Sequence, residues 1–145
     1  MKTLIFDMDG TLTDMWPLEK AVLLEMLGKD FEGALENSKA QGLNSTYSIY
    51  SKLSRSRLPK NAYIRCYNKT FNTLMRQKKL PRIEKYPLAY WIERYRSRYR
   101  SIYATGGQRR ETLYVLRSLN PLTIFDISNS LDKAPVVLPK QPEHH

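Results

Sequence analysis

The chain has 145 residues, with 24 Lys plus Arg against 14 Asp plus Glu, and one Cys. That length suits one domain, or one core carrying a small insertion, and it buries a hydrophobic core without staples. One Cys excludes an internal disulfide framework and an all-cysteine zinc cage. Hydrophobic residues at 41% and charged residues at 26% exclude a disordered chain and a membrane protein.

No apolar run approaches the roughly 18 residues that a spanning helix needs. Asp7 and Asp9 interrupt the one apolar run near the N-terminus, so a signal peptide is not expected. A reducing, cytoplasmic setting is the default expectation. The net charge of +10 is uneven. Residues 1–36 hold three basic and eight acidic residues, and residues 37–100 hold sixteen basic and two acidic ones. Residues 101–145 hold five basic and four acidic residues. So basic a middle segment suits an anionic partner, such as a phosphorylated metabolite, nucleic acid or an acidic protein. The plainer alternative is a solvated Lys/Arg helix surface.

Residues 3–6 form a continuous apolar run that stops at Asp7-Met8-Asp9-Gly10. A continuous run predicts a strand buried on both faces, as in a parallel sheet. A helix follows. Pro17 and Glu19 suit its first turn, Val22, Leu23, Met26 and Leu27 form its apolar stripe, and Gly28 stops it. Residues 31–40 and 43–53 read as short helices. Pro59 opens the longest helix, with Tyr63, Cys66, Tyr67, Thr70, Phe71 and Leu74 inward; it is expected to reach about residue 80, where Pro81 closes it.

Another helix starts near Pro87, with Leu88, Trp91 and Ile92 as its inner face. Residues 100–104 read as a strand ending at Thr105-Gly106-Gly107. Residues 108–119 read as a helix, with Leu113, Leu116 and either Val115 or Leu119 inward. Residues 122–127 read as a third strand, and the Pro-rich tail as irregular. Strand–helix–strand order implies a parallel α/β sheet, whose ligands sit at the carboxyl ends of its strands. Asp7, Asp9 and Thr105 all lie just past strand ends, so spacing alone predicts one shared mouth.

The strongest signal is Asp7-x-Asp9-Gly10-Thr11 after an apolar strand. Two carboxylates at a strand end can bind a hard cation through oxygen. One can attack phosphorus, and the other can serve as general acid and then base. Gly10 lets the backbone approach a phosphate. A bare Asp-Gly turn would mean little, but the full string from Phe6 to Asp14 is more specific. It resembles the first motif of the haloacid dehalogenase-like (HAD) hydrolase superfamily. That resemblance implies an α/β fold: a parallel Rossmann-like core sheet with an inserted all-α cap. It implies Asp7 as the phosphoryl-accepting nucleophile, Asp9 as acid/base, and Mg²⁺ held by Asp7 and Asp9. Asp9 favours phosphoryl chemistry over dehalogenation.

The family's second motif is a Ser or Thr at the next core strand's end. Thr105 fits, with the Gly106 N–H assisting at the phosphate. The third is a charge-neutralising Lys, often in Lys-Pro-x-Pro-Glu. Lys140-Gln141-Pro142-Glu143 resembles it, with Lys133 the rival. The fourth, an acidic pair completing the metal site, is missing: Glu111, Asp126, Asp132 and Glu143 lack its Gly-Asp context. The resemblance divides the chain into a core at 1–13 and 86–145, its C-terminal part apparently missing, and a cap at 14–85.

In the family the first strand lies between the second and the missing fourth. An unpaired apolar edge at residues 4–6 is therefore expected, and self-association through it. The implied activity is a Mg²⁺-dependent phosphatase for a small phosphorylated metabolite. A phosphomutase with the same nucleophile is the second enzyme reading, and a catalytically incomplete phosphate- or nucleic-acid-binding module is the non-enzymatic one. The cap closes over substrate in the family, and Arg55, Arg57, Lys60 and Arg65 are candidate contacts. Residues 90–100 interleave aromatics with arginines, which can stack bases and track phosphates. The stronger reading is that they pack half-buried with Arg stems reaching water, since no recognised nucleic-acid-binding motif accompanies the run.

Overall fold

The computed structural model describes residues 2–7, 10–55, 58–95, 97–104, 109–119, 126–128 and 136–137. In chain order the elements are β1 (Lys2–Asp7), β2 (Thr13–Asp14), α1 (Trp16–Leu27), a 3-10 turn (Lys29–Phe31), α2 (Glu32–Ala40), α3 (Thr46–Leu53) and α4 (Lys60–Arg76). Then follow β3 (Glu84–Lys85), α5 (Pro87–Arg94), β4 (Tyr99–Ala104), α6 (Arg109–Leu119), β5 (Asp126–Ser128) and β6 (Val136–Val137). The chain forms two compact units, Met1–Met15 with Ile83–His145, and Trp16–Arg82.

The first unit carries a sheet in the order β1-β4-β5-β6. β1 and β4 run parallel from Lys2↔Tyr99 to Asp7↔Ala104, and β4 and β5 run parallel from Ile102↔Asp126 to Ala104↔Ser128. Parallel neighbours need a crossover between them. The second unit separates β1 from β4, and α6 separates β4 from β5. β6 pairs antiparallel with β5. The sheet is thus mixed rather than purely parallel, and the tail expected to be irregular supplies its outer strand.

β1 differs from expectation in burial. Ile5 is 70% exposed, and Leu4 and Phe6 are half-buried. The exposed residues Thr3, Ile5 and Asp7 alternate along β1 and so share one face, which is open among the described residues. β1 also stands at the end of the strand order, with β4 its one partner among them. A second small sheet pairs Thr13 with Lys85 and Asp14 with Glu84, antiparallel. The Tyr86 N–H donates to the Leu12 carbonyl at 2.9 Å and extends this ribbon. The segments that lead into and out of the second unit are therefore tied together within the first.

In α5, Pro87 occupies the first helical position, where its missing N–H costs nothing. Ile92 is buried, as expected, but Trp91 is 39% exposed rather than inward. Its ring packs instead against Tyr95 at 4.9 Å and stacks on Tyr99 at 5.7 Å. Arg94 and Arg98 lie over the Tyr95 ring at 5.6 and 5.7 Å. In α6 the buried face is Glu111, Thr112, Val115 and Leu116, while Leu113 is half-buried. The apolar pattern alone misses the two polar members of that face.

The second unit is helical. Its core collects Leu18, Val22 and Leu23 from α1, Leu35 from α2, Ile49 and Tyr50 from α3, and Tyr63, Tyr67, Phe71 and Leu74 from α4. Tyr63 is the aromatic hub, 5.1 Å from Tyr47, 5.2 Å from Tyr50 and 5.9 Å from Tyr67. Cys66 is exposed and Thr70 half-buried, against the inward expectation. Both sit on the flank of α4, where the Thr70 hydroxyl donates back to the Cys66 carbonyl at 2.8 Å. Met26 and Leu27 of α1 are likewise half-buried.

Lys20 ties α1 to α2. Its Nζ lies 2.8 Å from Glu36 and 3.0 Å from Glu32. The Lys20 hydrogen bond holds the Glu36 carboxyl below its ordinary range, and Glu36, then Glu32, raises the Lys20 ammonium above its own. The Glu36 contribution is present above the ordinary carboxylate range and is lost as pH falls through its lowered value. The Lys20 contribution is present below its ordinary range and is lost as pH rises through the raised one. Such exposed pairs contribute less than about 1 kcal/mol each.

Two helices of this unit end in the same hydrogen-bond pattern. After α2, Gly42 (φ 89) donates to Lys39 O at 3.0 Å and Leu43 donates to Ser38 O at 3.3 Å. After α4, Lys78 (φ 55) donates to Met75 O at 3.1 Å and Lys79 donates to Leu74 O at 3.0 Å. Both closures satisfy end carbonyls through one left-handed residue. α4 therefore stops at Arg76, short of the expected residue 80, with Lys where glycine is usual. Lys78→Gly relieves that strain, and its expected effect is a gain of up to about 1 kcal/mol in urea unfolding. A loss of stability would contradict the strained closure.

Candidate active site

The parallel registers bring three strand ends level. Asp7 of β1 pairs in register with Ala104 of β4, and Ala104 pairs with Ser128 of β5. Adjacent strands stand about 4.8 Å apart, so these positions form one row at the carboxyl edge. That edge is where open α/β sheets bind ligands, because backbone and loop groups converge there. Asp7 is exposed in this row. Its chain neighbour toward the turn, Met8, and Asp9 lie outside the described residues.

Gly10 begins the turn that follows β1. Its N–H donates to the Thr13 carbonyl at 3.0 Å, and its φ is 75. This left-handed conformation is one that side chains with a Cβ resist. A Cβ at Gly10 would meet nothing within 4 Å. The requirement for glycine is therefore one of backbone conformation, not of space. The Gly10 N–H serves the turn itself, so the structure does not assign it to a phosphate.

Of the other expected site residues, Thr105, Gly106 and Lys140 lie outside the described residues, as do Lys133 and Asp132. Thr105 follows directly in sequence on Ala104, which occupies the row beside Asp7. Asp126 was expected near the end of the third strand. It lies in β5 opposite Ile102 and Val137, two positions before Ser128 of the row. Glu111 is the acid that sequence reasoning left unplaced. It is 6% exposed in the first turn of α6, where the positive end of a helix favours a carboxylate. Its spacing from Val115, one turn apart on the buried face, is the signal that marks it. Next to it, the Thr112 hydroxyl is buried without a hydrogen-bond partner among the described residues, as is that of Thr13.

Asp7 offers a hard oxygen donor, the right chemistry for Mg²⁺. Among the described residues, however, no group of three or more His, Cys, Asp or Glu side chains is placed to hold an ion. The described residues supply one donor of such a site and do not complete it. No helix among them is long and apolar enough to cross a membrane.

No family model and no curated protein matches this sequence. Solved structures do. A protein from Thermotoga maritima assigned as a beta-phosphoglucomutase aligns with a TM-score of 0.51 at 16% identity, over 92% of this chain and 63% of its own. A hydrolase from Pseudomonas syringae aligns with a TM-score of 0.49 at 17% identity, over 94% of this chain and 63% of its own. The chain thus spans less than two thirds of the length of either. The likeness to the Thermotoga maritima structure shows the fold, the haloacid dehalogenase-like fold implied by Asp7-x-Asp9-Gly10-Thr11.

Gly10→Ala probes the turn that carries this motif. A methyl group fits, but the left-handed conformation costs about 1–2 kcal/mol. The expected result in urea unfolding is a loss of that size, and an unchanged midpoint would contradict the turn geometry.

Proposed function

We propose that the chain belongs to the haloacid dehalogenase-like hydrolases and acts as a phosphatase on a small phosphorylated metabolite. One observation carries the reading. The sequence motif with the family's nucleophile sits on the strand whose end is level with Ala104, the residue that Thr105 follows in sequence, so Asp7 and Ala104 stand at adjacent strand ends. The Rossmann-like parallel core is supported by the two parallel pairings. The helical unit, inserted between β2 and β3, takes the cap role.

In this mechanism an Asp7 carboxylate oxygen attacks phosphorus, and the bond from phosphorus to the leaving oxygen breaks. Asp9 gives its proton to that leaving alkoxide, and Asp7 carries the phosphoryl group. Asp9, now a carboxylate, takes a proton from water, and the hydroxide attacks phosphorus. Inorganic phosphate leaves and the Asp7 carboxylate is restored. Thr105, the Gly106 N–H and Lys140 hold the phosphoryl oxygens, and such donors stabilise charge that grows in the transition state. Asp7 and Asp9 would hold Mg²⁺, which when bound supplies positive charge to screen the phosphoryl group.

A second reading is a phosphomutase, favoured by the likeness to the Thermotoga maritima structure. It uses the same nucleophile but returns the phosphoryl group to a sugar. Release of inorganic phosphate separates the two readings. The expected outcome is p-nitrophenyl phosphate turnover in the presence of Mg²⁺, reduced at least about 10³-fold by Asp7→Asn. Turnover that survives Asp7→Asn would overturn both readings.

A further inference from the structure

The solvent face of α4 is a basic surface with no role in the chemistry proposed above. The helix carries Lys60, Arg65, Lys69 and Arg76 and no acidic residue. At 3.6 residues per turn, Arg65, Lys69, Asn72 and Arg76 fall within an arc of about 60°. Arg65, Lys69 and Arg76 are exposed, and Asn72 is half-buried beside them. The stripe from Arg65 to Arg76 is about 16 Å long. Tyr63, Tyr67, Phe71 and Leu74 are buried, so the apolar face is already occupied.

A merely solvated face usually mixes signs, because like charges one turn apart repel. This chain makes such mixed pairs elsewhere in the same unit, where Lys20 meets Glu32 and Glu36. Along α4 and its flanking sequence no acid is available for such a pair. Positions 37–82 hold eleven Lys and Arg and no Asp or Glu. The first 36 residues hold eight acids, so the acids are segregated rather than scarce. A polyanion meets this face without repulsion.

We propose that this face of α4 binds the phosphate backbone of duplex DNA. Three properties of the face favour that occupant. All aromatic side chains of α4 are buried, so it offers no platform for the base stacking that holds single strands. A helix of about 10–12 Å diameter fits the roughly 12 Å major groove of B-form DNA, whereas the A-form major groove of duplex RNA is too narrow for it. Its exposed groups are Arg, Lys and Asn, which contact phosphates and base edges. In the run at 90–100, Trp91 and Tyr95 already pack against each other and against Tyr99, Arg94 and Arg98, although Tyr90 and Trp91 stay exposed. The inference rests on α4 alone and stands whether or not Asp7 reacts.

The test is fluorescence anisotropy of the full chain with a short labelled DNA duplex, its single strand and the matching RNA duplex. Salt is varied between about 50 and 200 mM. The variant Arg65→Gln/Lys69→Gln/Arg76→Gln is compared with the charge-matched Lys2→Gln/Arg110→Gln/Arg117→Gln. A third variant, Arg65→Lys/Lys69→Arg/Arg76→Lys, keeps the charge. Circular dichroism checks that all three keep the helix content of the parent. The DNA duplex is expected to bind tightest. The α4 variant should lower the slope of log K against log salt by about 2.7, from three lost phosphate contacts. The charge-matched and charge-keeping variants should leave the slope unchanged. Tighter binding of the single strand or the RNA duplex would overturn the proposal, as would equal loss in both Gln variants. Displacement of the duplex by polyglutamate at equal charge would likewise overturn it, in favour of an acidic protein.

Discussion

The parallel pairing of β1 with β4 is the constraint on which the rest of the core depends. An antiparallel pair can be closed by a tight turn, but a parallel pair needs the chain to travel back along the sheet. In sequence, the helical unit and then α5 lie between the two strands. The same pairing fixes the register Asp7↔Ala104. A shift of one residue would turn every side chain of β1 to the opposite face and break the row. The position of Asp7 therefore follows from strand pairing, not from a local feature of its loop. The ribbon of β2 and β3 adds a second tie, holding the entry to the insertion beside its exit.

Both units bury large apolar side chains. In the helical unit, burial dominates: Leu18, Val22, Leu35, Ile49 and Phe71 are fully or almost fully enclosed, and Tyr63 joins three neighbouring rings. Each such large side chain contributes about 1.5–3 kcal/mol on burial. The Lys20 pairs add specificity between α1 and α2 more than energy. In the sheet unit, β1 leaves Ile5 exposed in an outer strand. An apolar outer strand is a pairing surface that proteins usually cover or charge. The basic solvent face of α4 thus belongs to the insertion, while Asp7 belongs to the sheet, whose unit buries Leu12, Ile92, Val115 and Leu116.

Much of this was legible in the sequence because periodicity reports which side of an element is covered. Val22 and Leu23 of α1 and Tyr63, Tyr67, Phe71 and Leu74 of α4 are buried at the expected spacing, while Met26, Leu27, Cys66 and Thr70 are not. Gly28 and Pro87 mark helix ends through φ preferences. The failures have physical causes. The closure at Lys78 was hidden because a left-handed C-terminus normally needs glycine. Trp91 was read as inward from spacing, yet its best partners are the neighbouring rings of Tyr95 and Tyr99. The continuous apolar run implies that Ile5 is enclosed, because such a run cannot reveal which face of the strand is covered, whereas the expected apolar edge at residues 4–6 matches the place of β1 at the end of the strand order. For the site, the motif identified Asp7 and Gly10 by residue type. Spacing predicts that Asp7 and Thr105 share one mouth, and the register adds that Asp7 is level with Ala104 on the adjacent strand. Glu111 escaped because composition shows acids but not which of them a helix buries.

The central claim is that Asp7 carries the phosphoryl group. The most direct measurement is to quench the protein during turnover of p-nitrophenyl phosphate, reduce it with borohydride and map its peptides by mass spectrometry. Borohydride converts an aspartyl-phosphate to homoserine, so the modified position records the nucleophile. The account predicts homoserine at residue 7 and nowhere else. Homoserine at another aspartate, or at none while phosphate is being released, would contradict it.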